Sequence, residues 1–133
     1  MDWRSDYSLG IAEIDQQHRA LLRSFSSIEE AISLGQGWSN VHYAIVELRE
    51  LALRHFDFEE AVMRLFGYSE VRAHADTHRF FFQRLEEIEH NSLRDTNEAE
   101  MIAFLHDWLK KHILGDDRRY ARFILDGAAV VRS

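Results

Sequence analysis

The chain has 133 residues, a formal net charge of −7 and 46% hydrophobic residues, enough for one packed core in a single domain over residues 1–133. The negative charge argues against nucleic acid and against an anionic membrane surface as partners, because both need a basic protein surface. The sequence has no cysteine, which excludes disulfides, zinc fingers and iron–sulfur clusters. No signal-peptide pattern opens the sequence and no apolar run is long enough to span a membrane, so we expect a cytoplasmic protein.

Turn signals divide the sequence into helical segments. They fall at 35–37, at Gly67 with Ser69 as the next helix N-cap, and at 94–97. These breaks predict an N-terminal arm over 1–14, four helices over about 15–34, 40–66, 69–92 and 97–114, and a short fifth helix over about 116–127.

Apolar residues recur three and four positions apart along each of the four long helices. In the first helix, for example, this stripe runs through Leu21, Phe25, Ile28 and Ile32. Such stripes on four helices joined by short loops are typical of an antiparallel bundle. We therefore predict an all-α fold, an antiparallel up-down-up-down four-helix bundle with an N-terminal arm and a short C-terminal helix.

Five histidines and two carboxylates take core positions where leucine or isoleucine would be expected. They are His18, His55, Glu59, His74, His78, His112 and Asp117. They lie near the starts of the first and third helices and near the ends of the second and fourth, which meet at one end of such a bundle. Buried imidazoles and carboxylates lower stability unless they are paired or bind a metal, so their convergence predicts a metal site.

Asp117 needs a local change in the helix to reach this site. It follows His112 by five residues, which is about 140° around a continuous α-helix. Both side chains can face inward only if the helix is interrupted, and we expect that interruption at or near Gly115.

Nitrogen and oxygen ligands without sulfur suit iron, manganese, zinc, copper or nickel. Seven protein ligands are too many for one ion, whereas two octahedral ions offer twelve positions. Five imidazoles, two bridging carboxylates and one bridging oxide or hydroxide leave one position open, which predicts a binding site for a small molecule. The ferritin-like alternative needs two Glu-x-x-His motifs, and the sequence has one, at Glu87 and His90.

Three ordered motifs resemble the hemerythrin family. They are His55-Phe-Asp-Phe-Glu59-Glu60, then His74-x-x-x-His78, then Trp108-Leu-x-x-His112-Ile-x-x-x-Asp117-x-x-Tyr120. The opening Leu9-Gly-Ile…Ile14-Asp-x-Gln17-His18 is similar to the bacterial branch of that family. The resemblance covers nearly the whole chain, and all seven ligand positions occur in order.

The resemblance implies a non-haem di-iron centre with an oxo or hydroxo bridge. His74, His78 and His112 would bind one iron, His18 and His55 would bind the other, and Glu59 and Asp117 would bridge them. O2 would bind on the His18/His55 side. We expect the pocket wall to consist of Phe56, Trp108, Leu109 and Ile113, which flank the ligands by helical geometry. Tyr120 is either a hydrogen-bond partner of the ligands or a core residue.

We predict a non-enzymatic O2 carrier, which would transport oxygen, store it or deliver it to an oxygen-using enzyme. NO and small anions such as azide are other candidate ligands. The alternative is a sensor of O2, NO or redox state that a partner reads. A di-iron oxidase or peroxidase ranks last, because no substrate pocket with further acid–base residues is apparent.

Several polar and aromatic residues were assigned to no site. His42, His90 and His106 lie off the stripes and are expected on the surface, and 86–89 is expected to form a solvated acidic face. The aromatic run at 80–82 is expected to be core or near-core packing. Many family members place a glutamate immediately before the second histidine of the His-x-x-x-His pair. This chain has Thr77 there, so hydrogen bonding or solvent gating at that point should differ.

Overall fold

The computed structural model describes residues 3–92 and 98–132, with the side chains of 3–90 and 98–127. The elements are a 3₁₀ turn at Ser5–Tyr7, α1 (Ala12–Ser33), α2 (Trp38–Leu65), α3 (Val71–Ser92), α4 (Glu98–Lys111), a π-helical turn at His112–Asp117, and α5 (Arg118–Arg132). The described residues contain no strand, and the predicted all-α four-helix bundle is confirmed. The turn predicted at 94–97 lies outside the described residues.

Glycines end the first two helices as the sequence predicts. Gly35 and Gly67 have φ values of 65° and 70°, a region that other residues rarely adopt. After α1, the amide of Gln36 donates to Ala31 O at 3.0 Å and that of Gly35 to Ile32 O at 3.1 Å. The same pair of bonds follows α2, and this Schellman arrangement satisfies the last carbonyls and allows a short connection.

Several helix boundaries differ from the prediction by a few residues. For example, α2 begins at Trp38 rather than at 40, and α3 begins at Val71, so Glu70 rather than the predicted Ser69 precedes it. Two of the differences have a visible cause. Helix α1 begins at Ala12 rather than at 15, because Asp15 accepts hydrogen bonds from Leu9 N at 2.9 Å and Ser8 Oγ at 2.6 Å. These bonds tie the N-terminal arm to the first turn of the helix. Helix α5 continues past Gly127 to Arg132, since a single glycine weakens a helix by about 1 kcal/mol without ending it.

The described side chains form two apolar clusters in the interior. The large cluster draws on all four bundle helices, with the fully buried Phe25, Ile45, Leu85 and Leu105 among its members. The end cluster joins the N-terminal arm to α5 and contains Leu9, Ile14, Met63, Tyr120, Ala121 and Ile124. Along α1 and α2, the candidate ligands occupy the positions between residues of the two clusters. The fold therefore places them in a polar layer that is covered by apolar side chains on both sides.

Some residues expected in the core or on the surface lie elsewhere. Phe66 and Phe80 are 47% and 55% exposed, although the first continues the stripe of α2 and the second opens the aromatic run. Glu89 is only 8% exposed, so the expected solvated acidic face is wrong there. Its carboxylate pairs with Arg49, and its Oε2 lies 3.2 Å from His42 Nδ1. These pairs explain how the acid is buried between α2 and α3.

His90 and His106 are exposed, as expected for residues off the stripes. Within the described part of the chain, every helix is too short or too polar to cross a bilayer.

Candidate metal centre

The seven candidate ligands converge in the polar layer between the two clusters. Helix α1 contributes His18, α2 contributes His55 and Glu59, α3 contributes His74 and His78, and the π-helical turn contributes His112 and Asp117. Each is at most 5% exposed. Residues nearly a hundred positions apart in sequence, such as His18 and Asp117, are in hydrogen-bonding contact.

The π-helical turn is what brings Asp117 into the centre. We expected the helix to be interrupted at Gly115, but the chain remains helical from α4 into α5 and Gly115 does not adopt a positive φ. A π-helix bonds residue i to i+5, so side chains five apart lie close to the same face. The wider turn thus aligns His112 with Asp117, which an α-helix would separate by about 140°.

The carboxylate of Asp117 faces histidines on both sides. Its Oδ1 lies 2.9 Å from His74 Nε2 and 2.9 Å from His112 Nε2, while its Oδ2 lies 2.9 Å from His18 Nε2. The two oxygens therefore contact different histidines, as a bridging carboxylate requires.

Glu59 is placed between the remaining histidines. Its Oε1 lies 2.8 Å from His55 Nε2 and 3.6 Å from His78 Nε2. His78 Nε2 is in turn 3.0 Å from His112 Nε2. The donor atoms fall into two groups in which all atoms lie within 4.8 Å of one another. One group is Glu59, His74, His78, His112 and Asp117, and the other is His18, His55, Glu59 and Asp117.

The donor atoms fit metal ions better than they fit one another. Neighbouring ligands of an octahedral ion with bonds of about 2.1 Å are about 3.0 Å apart, close to the spacings above. Several of these buried atoms lack a hydrogen-bond partner among the described residues, namely His55 Nε2, His74 Nε2, Asp117 Oδ1 and both oxygens of Glu59. His55 and Glu59 are 2.8 Å apart without the orientation of a hydrogen bond. Buried polar atoms left in this way are typical of a site that binds a metal.

Three of the imidazoles form hydrogen bonds through Nδ1, the ring nitrogen that faces away from the other donor atoms. His55 Nδ1 donates to Gln17 Oε1 at 2.6 Å. His78 Nδ1 donates to Glu60 Oε2 at 3.0 Å, and His112 Nδ1 to Asp116 Oδ2 at 3.2 Å. These bonds fix the ring orientations and leave Nε2 for a metal. His18 Nδ1 is buried without such a partner in the described structure.

The sequence pattern alone does not predict these three acceptors as part of the site. Each of them is the immediate sequence neighbour of a candidate ligand, which is the signal that could have identified them. Gln17 shows why the signal is incomplete, because it precedes His18 but bonds to His55 on the next helix.

The charges of the metal-free centre are unevenly distributed. Burial and the neighbouring His112 lower the pKa of His78 to about 3. Burial also opposes charge on His112, but Asp117 and Asp116 outweigh it and raise the pKa of His112 to about 10. Burial would raise the pKa of Asp117, yet the adjacent His112 holds it well below its usual range. The His78–His112 pair therefore keeps its proton on His112, and that proton has to leave before Nε2 can bind a metal.

Two of the four residues expected to form the pocket wall contact candidate ligands. Phe56 stacks on His78 with ring centroids 3.8 Å apart, and Trp108 stacks on His112 at 4.4 Å. Leu109 and Ile113 are buried members of the large cluster. The two aromatic rings thus cover histidines of the three-histidine group.

Tyr120 lies on the opposite side of the polar layer, in the end cluster. It is fully buried, and its ring lies edge-on to His74 at 5.2 Å. Among the described residues its hydroxyl has no hydrogen-bond partner of good geometry, and burial raises its pKa, so it stays protonated.

In the described structure, two depressions that both include Thr77 and Asp116 reach candidate ligands. The larger, of about 400 Å³, reaches His112 and Trp108. The smaller, of about 80 Å³, reaches His74. Thr77 and Asp116 therefore lie where solvent comes close to two of the candidate ligands.

Comparison with known proteins agrees with this geometry. The family model of the hemerythrin HHE cation-binding domain matches residues 9–124. A bacteriohemerythrin of Stenotrophomonas maltophilia is 34% identical over 90% of this chain and 78% of its own length. Bacteriohemerythrins of Pseudomonas aeruginosa and Clostridium acetobutylicum are 32% and 31% identical over 89% of this chain, and over 77% and 96% of their own lengths. The chain belongs to the hemerythrin family and is a non-haem iron domain of the O2-binding type.

Proposed function

We propose that the polar layer holds two iron ions and binds O2 reversibly. His74, His78 and His112 would hold one iron, His18 and His55 the other, and Glu59 and Asp117 would bridge the two. The observation that carries this proposal is Asp117, whose two carboxylate oxygens contact histidines of different groups at 2.9 Å. A carboxylate that serves a single ion has no need of that arrangement.

The ferrous ions would supply the O2-binding chemistry, and the protein would control access to it. Phe56, Trp108, Leu109 and Ile113 would keep the centre apolar and slow the entry of water. Tyr120 would close the other side and stay uncharged. The hydrogen bonds at Nδ1 would hold His55, His78 and His112 in the orientation that metal binding needs.

We propose a carrier role, in oxygen transport, storage or delivery to an oxygen-using enzyme. O2 would bind at the open coordination position of the iron held by His18 and His55, and NO or a small anion such as azide would compete for that position. A carrier is favoured over an enzyme because the ionisable candidate ligands and their acceptors form hydrogen bonds with one another. Groups engaged in this way are not available as acids or bases for a substrate.

The test is anaerobic loading with ferrous iron, followed by metal analysis and visible absorption spectra before O2 is admitted, in its presence and after its removal. Two irons per chain and a visible band that appears with O2 and disappears without it would support the carrier. Irreversible conversion to a ferric spectrum would favour redox sensing or catalysis. Failure to bind two metals would overturn the proposal.

His55→Ala provides a specific variant for the same experiment. It should remove about one iron equivalent or abolish O2 binding, because it deletes one of the two histidines of its group. His106→Ala is the matched control, since His106 is exposed and outside both donor groups. Full retention of iron and O2 binding by the His55 variant would contradict the ligand assignment.

A further inference from the structure

We infer that Asp116 is a positioning residue for His112, which it holds through the ring nitrogen that faces away from the metal centre. The inference rests on the proposed metal centre. It gives a reason why the three-histidine and two-histidine groups should differ in their affinity for a metal. Asp116 Oδ1 lies 3.6 Å from Arg119 Nη2. Asp116 Oδ2 accepts from His112 Nδ1 at 3.2 Å.

Two consecutive acidic residues hold the two nitrogens of the same imidazole. Asp117 Oδ1 lies 2.9 Å from His112 Nε2, and Asp116 contacts Nδ1 on the opposite edge of the ring. The π-helical turn makes this possible, because it lets residues four and five positions after His112 both reach it. When a metal binds Nε2, Asp116 remains as the partner that fixes the ring and its tautomer.

Thr77 cannot play the same part. Its Oγ1 lies 3.4 Å from His112 Nδ1, but its hydroxyl proton is donated to His74 O at 2.6 Å. It therefore offers His112 only a distant, neutral lone pair. The position itself is close enough that a carboxylate extending from residue 77 could reach Nδ1. In this chain the carboxylate at His112 Nδ1 comes from the π-helical turn.

The acceptors at Nδ1 make the two halves of the centre unequal. In the three-histidine group, His78 and His112 donate to the carboxylates of Glu60 and Asp116. In the two-histidine group, His55 donates to the neutral amide of Gln17, and His18 Nδ1 has no partner among the described side chains. A carboxylate acceptor makes an imidazole a more basic ligand than an amide does. The three-histidine half should therefore bind its metal more tightly and favour the ferric state more strongly.

The experiment measures metal affinity by competition with a chelator, using Zn(II), and the midpoint potential of the iron-loaded protein. Asp116→Asn keeps the shape of the side chain and removes its charge. It should weaken the tighter Zn(II) site by about 10–100-fold and shift the midpoint potential upward, because the ferric state loses a negative neighbour. The variant should fold, since the Asp116 side chain is 32% exposed.

A rescue variant separates positioning from a general structural effect. Adding Thr77→Glu to Asp116→Asn returns a carboxylate to His112 from α3, and should restore affinity and potential most of the way to the unmodified protein. Asp76→Asn is the matched control. Asp76 lines the same depression but is 59% exposed and pairs with Arg79, so neither quantity should change.

Unchanged affinity and potential in Asp116→Asn would overturn the inference, as would losses that Thr77→Glu fails to restore. The unmodified protein distinguishes this failure from that of the proposed function. If it binds two Zn(II) ions and Asp116→Asn behaves identically, only the role of Asp116 is wrong. If it binds fewer than two, the two-metal centre is wrong as well.

Discussion

The large apolar cluster and the polar layer occupy equivalent inward positions on the same helices, yet they stabilise the protein under different conditions. On α1, Leu21 belongs to the cluster and His18 to the layer, one helical turn apart. Each fully buried leucine or phenylalanine contributes about 1.5–3 kcal/mol with or without a ligand. Each buried polar atom without a partner instead lowers stability by about 1–3 kcal/mol. The fold should therefore depend on the cluster, and the layer should depend on metal.

The largest effect is expected from a cavity in the large cluster. Leu85 is fully buried, and Leu85→Ala should lower the free energy of unfolding by about 2–5 kcal/mol. Denaturant titration of the metal-free protein measures this loss, while metal stoichiometry at a temperature where the variant is folded should not change. Leu53→Ala, at a position that is 51% exposed, should stay within about 0.5 kcal/mol. A loss of metal in the Leu85 variant would show that the cluster and layer are not separable.

Removal of metal should destabilise the protein without unfolding it. At a free metal concentration of 100 times the dissociation constant, binding adds about 2.7 kcal/mol. Chelation should therefore lower the melting temperature, while circular dichroism at 25 °C keeps the helical signal that the apolar clusters maintain. Loss of that signal on chelation would mean that the layer, rather than the cluster, determines the fold.

A pair substitution in the layer should act in the opposite sense to Leu85→Ala. His55 and Glu59 are buried four residues apart on α2, with the closest atoms at 2.8 Å. Replacing a buried ionisable pair by apolar residues is often stabilising by about 1–4 kcal/mol, so His55→Leu combined with Glu59→Leu should raise the stability of the metal-free protein. Denaturant titration checks the sign, and metal analysis should show that the gain accompanies a loss of iron.

The single variant His55→Leu is the control for that pair. It leaves Glu59 with His78 Nε2 at 3.6 Å as its nearest imidazole, so it should gain less than the double variant. A fall of more than about 1 kcal/mol in the metal-free double variant would contradict the view that the layer is destabilising without metal.

The difference between the apolar cluster and the polar layer also explains which features the sequence could predict. The bundle follows from apolar residues repeated at helical spacing, and the ends of α1 and α2 follow from glycines whose positive φ few other residues adopt. The histidines and acids of the layer are visible because they interrupt those stripes. A polar residue in an apolar series is informative even before its neighbours are known.

Features that depend on contacts between helices were not predictable in the same way. A continuous α-helix would place Asp117 away from His112. The π-helical turn that aligns the two residues is visible only in the folded structure. Glu89 looked like one of several solvated acids, but Arg49 and His42 from α2 allow it to be buried. In the first case the deciding factor is a local change of helix type, and in the second it is a pair of partners that are distant in sequence.

The smallest effect that we expect is a change in the rate of autoxidation, and it is expected where the cluster meets the layer. Leu109 is 2% exposed and belongs to the large cluster, and it is one turn before His112. Leu109→Ala should open the apolar wall and let water approach the proposed iron centre, so autoxidation should accelerate. A rise of about tenfold would correspond to a barrier lower by about 1.4 kcal/mol. Visible spectroscopy after O2 is admitted to the ferrous protein measures the rate.

Leu105→Ala makes this test specific, because Leu105 is equally buried on α4 but one turn farther from His112. The two variants should lose similar stability, about 2–5 kcal/mol each, while only the Leu109 variant should autoxidise faster. Equal acceleration in both would mean that general loosening of the bundle, rather than a local opening, admits water. An unchanged rate in the Leu109 variant would mean that Leu109 does not line the O2 pocket. The barrier to water would then consist of Phe56 and Trp108, which stack directly on His78 and His112.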